Sequence, residues 1–191
     1  MADPQPLRLI LASGSKARRE LMTQHGYAFT VEPAAIDEPL QAGFGDPRSY
    51  VQQIAWMKAA AASERIERGV VIAADTVGWV DGGPVLKPDD EADARRILRL
   101  LGGRWHELWT GVCLWRQPDG LQVAWQERSR TFLKAMTDTE LDEYLQTREW
   151  VGCSGAYAVQ ENDPLLTVEG SVSNVVGLPM ESLAKYIRIL R

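Results

Sequence analysis

An aspartate, an arginine and a lysine stand where the sequence predicts the end of a strand or the start of a helix, and a second lysine lies within a predicted helix. Asp75 directly follows the apolar run Val70–Ala74, so we expect it at the carboxyl end of a buried strand, where open α/β sheets bind ligands. Arg18 follows a turn of small residues, while Lys58 and Lys87 lie elsewhere in the chain. Cations beside a carboxylate suit metal-assisted hydrolysis of a phosphoanhydride, because that reaction neutralises phosphate charge and activates a water.

Each of these residues has an ordinary explanation when it is considered alone. An aspartate such as Asp75 can simply close a strand, and Lys58, on the apolar stripe of a predicted helix, can extend to solvent. Lys87 can be an ordinary surface lysine, and Glu38 can be a solvated charge in an acidic loop. The combination of a basic helix start, two lysines and two acids is more specific, because it matches what a polyphosphate with a divalent cation requires.

Local patterns predict the elements that position these side chains. Ser15 caps a helix that runs to about Gln24, Asp46 caps a second helix, the acids from Asp89 open a third that ends at Gly102, and Thr137 begins a fourth with a capping box. A final helix starts at Pro179. Strands are predicted at Leu7–Ala12, Phe29–Val31, Val70–Ala74, Val77–Val80, Pro84–Leu86, Glu107–Trp115, Leu121–Gln126, Ala156–Val159 and Leu165–Val168. Helices and strands alternate, which predicts the α/β class with a mixed sheet.

Composition restricts the classes of partner. The net charge of -5, from 21 basic and 26 acidic residues, argues against a general nucleic-acid face. No stretch approaches the roughly 20 apolar residues of a membrane span. The N-terminus has no signal-peptide pattern, so Cys113 and Cys153 are expected as free thiols in the cytoplasm. With only two histidines, any metal should be a hard cation on oxygen ligands, such as magnesium or manganese.

Eight short segments follow one another in an order that covers nearly the whole chain. They are LILASGSKARRELM (9–22), IDE (36–38), MKA (57–59), AADT (73–76), LKP (86–88), LGGRWHELWTGV (101–112), SGAYAVQ (154–160) and EGSVSNVVGLP (169–179). Together they resemble the Maf family, whose members are nucleoside triphosphate pyrophosphatases. The resemblance implies a single domain over residues 1–191 with a two-lobed, mixed-sheet α/β fold and a central cleft, similar to inosine triphosphate pyrophosphatases.

The resemblance also implies a reaction and a set of roles. The reaction is cleavage between the α and β phosphates of a nucleoside triphosphate, which releases a monophosphate and pyrophosphate; a homodimer is expected on the same ground. The implied roles are proton acceptor for Asp75, metal ligand for Glu38 with Asp75, phosphate contacts for Arg18, Lys58 and Lys87, phosphate loop for Ser13, and base recognition for Thr76 and Gln160.

One departure from the family pattern concerns the choice of substrate. Family members usually read Ser-Pro-Arg-Arg after the small-residue turn, whereas Ser15 here precedes Lys16 and Ala17. The first arginine position is linked to substrate choice, and Thr76 with Gln160 resembles the subgroup that acts on dTTP and UTP. The alternatives are a 7-methyl-GTP-type pyrophosphatase, a nucleotide-binding regulatory protein with little hydrolysis, and an interaction protein that uses its seven tryptophans.

Overall fold

A mixed sheet, seven-stranded in the described residues, has helices on both faces and organises the chain. The computed structural model describes residues 7–37, 45–159 and 163–190. Its strands are β1 (Leu9–Leu11), β2 (Phe29–Val31), β3 (Gly69–Val80), β4 (Gly83–Val85), β5 (Arg104–Gln117), β6 (Gln122–Leu133) and β7 (Leu166–Glu169). Its helices are α1 (Lys16–Gln24), α2 (Pro47–Ser63), α3 (Glu91–Leu101), α4 (Asp138–Thr147), α5 (Val172–Val176) and α6 (Met180–Ile189), with a short 3₁₀ helix at Ser154–Ala156. The predicted mixed α/β class is confirmed.

The strand order creates an opening along the middle of β3. The order is β2-β1-β3-β5-β6-β7, with β1 parallel to both neighbours and β4 paired antiparallel to β3. Pairing with β1 ends at Ile72, and pairing with β4 begins at Gly78. Between them, the edge of β3 at residues 73–77 pairs with no strand in the described part of the chain. The carboxyl end of β1 therefore lies beside a stretch of the β3 edge that no described strand covers.

The prediction that a strand ends at Asp75 is wrong, and so is the separate strand predicted at Val77–Val80. β3 continues through both because β5 pairs with it antiparallel from Gly69 to Trp79, which supplies hydrogen-bond partners on either side of the acid. Asp75 nevertheless lies beyond the carboxyl end of β1, whose last pair joins Leu11 to Ile72. Asp75 therefore still lies beyond the carboxyl end of a strand, the position where open α/β sheets bind ligands.

The helix starts follow the predicted caps. The Ser15 hydroxyl accepts from the Arg18 amide and Asp46 from the Ser49 amide. Thr137 forms the full capping box of α4. Each cap satisfies a backbone donor that the first helical turn leaves unpaired.

Two apolar cores lie at opposite ends of the long strands. One packs α1 and α6 on β3 residues Val70, Ile72 and Ala74. The other packs α3 and α4 against Val85 and Leu133. Asp75 and Thr76 lie between the two cores along β3.

The strand predicted at Ala156–Val159 is wrong. The 3₁₀ helix occupies its start, and positive φ angles at Gly155 (77°) and Ala156 (56°) are incompatible with extended backbone. Within the described residues, no helix has the length and apolar character that crossing a bilayer requires.

Candidate active site

Asp75 and Thr76 are neighbours in β3 and point to opposite faces of the sheet. Val71 and Ala73 pack with the alanines of α2, and Val77 packs with Val51 and Ile54 of the same helix. Side chains alternate along a strand, so Asp75 faces α2 while Thr76 faces α1 and α6. Two polar clusters therefore flank the open edge of β3, one on each face.

The first cluster is an ion pair between Lys58 and Asp75. The Lys58 ammonium donates to Asp75 Oδ1 at 2.8 Å, and the two side chains are only 13% and 11% exposed. Lys58 lies two helical turns after Val51, on the sheet-facing side of α2. The prediction that Lys58 and Asp75 share a site is supported by this contact, and the alternative that Lys58 merely reaches solvent is not. Asp75 Oδ2 accepts no hydrogen bond from the described residues.

Gly111 brings α2 close enough for this contact. It pairs with Asp75 across the β3–β5 ladder. A Cβ at Gly111 would lie 2.3 Å from the carbonyl oxygen of Val51 and 2.7 Å from the Gln52 nitrogen, both in the backbone of α2. Only glycine allows the helix to approach the sheet this closely.

Gly111→Ala is therefore expected to push α2 outward, which should lower the free energy of unfolding by about 2–4 kcal/mol. The hydrolytic activity expected from the sequence should fall as well, since Lys58 moves with its helix. Urea unfolding and steady-state kinetics measure the two effects. Gly83→Ala is the matched control, because its added Cβ meets only the Val80 oxygen at 3.9 Å. Equal stability of the two variants would contradict the close-approach explanation.

The second cluster surrounds Arg18. Its Nε donates to the Gly177 carbonyl at 2.7 Å, Nη1 to Ser13 Oγ at 3.2 Å and Nη2 to Thr76 Oγ1 at 3.1 Å. These contacts join the β1–α1 turn, β3 and the residue that ends α5. Lys16 instead pairs with Glu20 on the solvent side of α1, so it does not take the place of the missing family arginine at Ala17.

Lys87 lies near the other side of the opening. It follows β4, whose direction carries the chain back along β3 from Gly78 toward Thr76. Burial raises the pKa of the Cys153 thiol, and the nearby Lys87 ammonium opposes that rise. The Ser154 hydroxyl donates to the Val85 carbonyl at 3.1 Å, which fastens the 3₁₀ helix to the end of β4. Among the described residues Lys87 makes no hydrogen bond or ion pair with the other predicted site residues.

Two predicted site residues, Glu38 and Gln160, lie outside the described residues. In the described ranges no group of three or more histidine, cysteine or acidic side chains could hold a metal. Asp75 Oδ2 is available as a metal ligand. One carboxylate oxygen suits magnesium, which commonly takes its remaining ligands from water and substrate phosphates. The residues present thus fit a cation that arrives with a polyphosphate.

Residues that the sequence did not single out complete the second cluster. Thr110 lies directly opposite Thr76 in the β3–β5 ladder, and its hydroxyl is 2.9 Å from that of Thr76. Thr110 also donates to the Asn174 carbonyl at 3.0 Å. Gly177 has φ of 117°, and a Cβ there would lie 3.2 Å from Thr76 Oγ1. The segments LGGRWHELWTGV and EGSVSNVVGLP contain these residues, but local spacing does not indicate that they meet.

Known proteins similar to this chain include two bacterial enzymes. A dTTP/UTP pyrophosphatase of Rhodopirellula baltica is 41% identical over 97% of this chain and 83% of its own length. A dTTP/UTP pyrophosphatase of Anaeromyxobacter dehalogenans is 42% identical over 95% of this chain and 93% of its own length.

Two solved structures are similar at lower identity. The Ham1 protein of Staphylococcus aureus is 16% identical, with a TM-score of 0.47 over 67% of this chain and 72% of that one. A nucleoside-triphosphatase / dITP/XTP pyrophosphatase of Mycobacterium abscessus is 15% identical, with a TM-score of 0.45 over 97% of each chain. The sequence model of the Maf-like protein family matches residues 8–190. With that match and relatives about 40% identical over nearly its whole length, this chain belongs to the Maf family.

Proposed function

We propose that this chain hydrolyses nucleoside triphosphates to the monophosphate and pyrophosphate, with dTTP and UTP as the substrates. The observation that carries the proposal is the convergence of two clusters on adjacent residues of β3. Lys58 holds Asp75 on one face, and Arg18 holds Thr76 on the other, beside an open strand edge at the carboxyl end of β1. The relatives named dTTP/UTP pyrophosphatase support the choice of reaction and of base.

Charge is distributed for an anionic substrate whose reacting atoms lie near Asp75. Arg18 provides a planar guanidinium that Ser13, Thr76 and Gly177 hold in one orientation. Such a fixed fork matches the oxygens of a phosphate. Lys87 is exposed and follows β4, which allows its ammonium to reach phosphates in the opening. The phosphate chain would lie along the edge of β3.

Proton transfer would use Asp75 Oδ2, the oxygen that accepts no hydrogen bond from the part of the chain that the structure describes. Lys58 binds Oδ1 and fixes the carboxylate, which leaves Oδ2 to accept a proton from the attacking water. The water oxygen bonds to the α-phosphorus, and the bond from this phosphorus to the α–β bridging oxygen breaks as that oxygen leaves with pyrophosphate. Arg18, Lys58 and Lys87 offset the charge on the departing group.

A divalent cation fits the same site. Asp75, with Glu38 by the family pattern, would hold magnesium or manganese. When bound, such an ion neutralises phosphate charge and activates water. The single two-lobed domain, the homodimer and the cytoplasmic location stay predictions.

Incubation with a panel of nucleotides tests the proposal. The panel contains dTTP, UTP, dATP, dGTP, dCTP, 7-methyl-GTP and the matching diphosphates, each with magnesium, with manganese and with a chelator. Release of pyrophosphate and monophosphate is followed by ion-exchange chromatography. We expect dTTP and UTP to be cleaved fastest, and the chelator to abolish the reaction.

Three results would contradict parts of this proposal. Preferred cleavage of 7-methyl-GTP would overturn the choice of base. A raised melting temperature with dTTP but no products would favour a regulatory nucleotide-binding protein. No effect of any nucleotide on melting temperature or products would remove the nucleotide site altogether.

A further inference from the structure

We infer that Thr110 is a positioning residue that fixes Arg18 in its phosphate-binding orientation through the hydroxyl of Thr76. The inference rests on the proposed function for its kinetic consequences. Thr110 is fully buried in β5 and faces Thr76 across the ladder, so it would reach the substrate only through that neighbour.

The available hydrogens determine the direction of the chain of hydrogen bonds. Each threonine hydroxyl has one hydrogen to donate. Thr110 gives its hydrogen to the Asn174 carbonyl at 3.0 Å, so the 2.9 Å contact between the hydroxyls requires Thr76 to donate to Thr110. Thr76 Oγ1 then accepts from Arg18 Nη2 at 3.1 Å. The chain runs from Arg18 through Thr76 and Thr110 to the carbonyl of Asn174.

The reverse direction is less favourable on geometry. If Thr110 donated to Thr76, Thr76 would have to donate to the Gly177 carbonyl at 3.5 Å, and the 3.0 Å bond to Asn174 would be lost. A contact of 3.5 Å is well beyond the usual O–H···O range. The Gly177 carbonyl also already accepts from Arg18 Nε at 2.7 Å.

Loss of the Thr110 hydroxyl should therefore loosen Arg18. Without that acceptor, the Thr76 hydroxyl has to shift toward the Gly177 carbonyl, 3.5 Å away, to place its hydrogen. This shift displaces the oxygen to which Arg18 Nη2 donates, so Thr76 holds the guanidinium less firmly. Asn174 supports the arrangement, since its side chain donates to Ser129 Oγ at 3.0 Å and ties α5 to β6.

A double-mutant cycle tests whether Thr110 acts through Arg18. Thr110→Val should lower kcat/KM for dTTP roughly tenfold, the upper end of the usual scale for a hydrogen bond between neutral groups. Thr110→Ser restores the hydroxyl and should keep kcat/KM within about threefold of wild type. In the Arg18→Ala background, Thr110→Val should change kcat/KM by less than about twofold, because the group it positions is gone.

Thr131→Val is the matched control. Thr131 is also a fully buried threonine of the sheet, and its hydroxyl contacts His106 Nε2 at 2.7 Å rather than the Arg18 cluster. Thr131→Val should lower kcat/KM by the same factor in wild type and in the Arg18→Ala background. A loss caused only by general destabilisation would give the same additive result for Thr110.

The Arg18 Nε–H signal in a nitrogen-15 NMR spectrum provides a readout that does not need turnover. The signal is assigned by its absence in Arg18→Ala. Thr110→Val should accelerate its hydrogen exchange more than tenfold, whereas Thr131→Val should leave it unchanged. If the wild type cleaves no nucleotide, the proposed function fails, and this signal still decides whether Thr110 holds Arg18. If the wild type is active and Thr110→Val lowers kcat/KM by the same factor with and without Arg18, the inference is overturned. An unchanged exchange rate of the Arg18 Nε–H in Thr110→Val overturns it as well.

Discussion

Asp75→Asn is expected to lower kcat by about 10³ while the protein stays folded. Asparagine has nearly the same shape, and its Oδ1 can still accept from the Lys58 ammonium, which lies 2.8 Å from Asp75 Oδ1. The amide cannot take a proton from water. Because the loss occurs only in the transition state, kcat should fall while the KM for dTTP changes little.

Steady-state kinetics with dTTP and a thermal melt of the same preparation test this expectation. Asp142→Asn is the matched control: it makes the same chemical change in a surface ion pair with Arg95, where the Asp142 side chain is 56% exposed. The control should keep wild-type kcat and melting temperature. Retention of most of the activity by Asp75→Asn would remove the assignment of Asp75 as proton acceptor.

The same variant separates two roles of Asp75. If the carboxylate also holds the cation, the magnesium concentration that gives half-maximal rate should rise in Asp75→Asn. A loss of kcat with no change in that concentration would leave proton transfer as its role and move the metal to other ligands.

Local elements of this fold were predictable because their signals are local. Ser15, Asp46 and the Thr137–Glu140 box lie within a few residues of the amides they cap. The limits of β3 were not predictable in this way. The pair Asp75-Thr76 is typical of a strand end, and only pairing with β5, more than thirty residues away, carries the strand through it. Helix α5 has only five residues, too few to show a helical period.

The sequence proposes which residues belong to the candidate site, but it does not indicate how the fold arranges them. Residue types and the family resemblance brought Asp75, Lys58 and Arg18 into one hypothesis. Strand alternation then divides them between two faces of the sheet, which residue types and the order of the family segments do not indicate. The contact between Arg18 and Gly177 joins residues 159 positions apart. No periodicity or spacing in a single sequence reports a contact of that range.

Lys58→Met is expected to lower the free energy of unfolding by about 2–3 kcal/mol and to abolish most of the activity. Methionine keeps the length and apolar stem of lysine, so α2 still packs on the sheet. The variant leaves the Asp75 carboxylate, only 11% exposed, without the ammonium at 2.8 Å. The remaining exposure of both groups keeps the expected loss below that of a fully buried pair.

Adding Asp75→Asn to Lys58→Met should recover part of the stability and none of the activity. The double variant buries an amide beside a thioether, which removes the cost of an unpaired carboxylate, while the proton acceptor is absent. Urea unfolding measures the first quantity and dTTP turnover the second. Lys16→Met is the control, since its pair with Glu20 is exposed and should contribute only a few tenths of a kcal/mol. A double variant no more stable than Lys58→Met would show that the pair does not stabilise the fold. Full activity in Lys58→Met would show that the pair does not prepare Asp75 for catalysis.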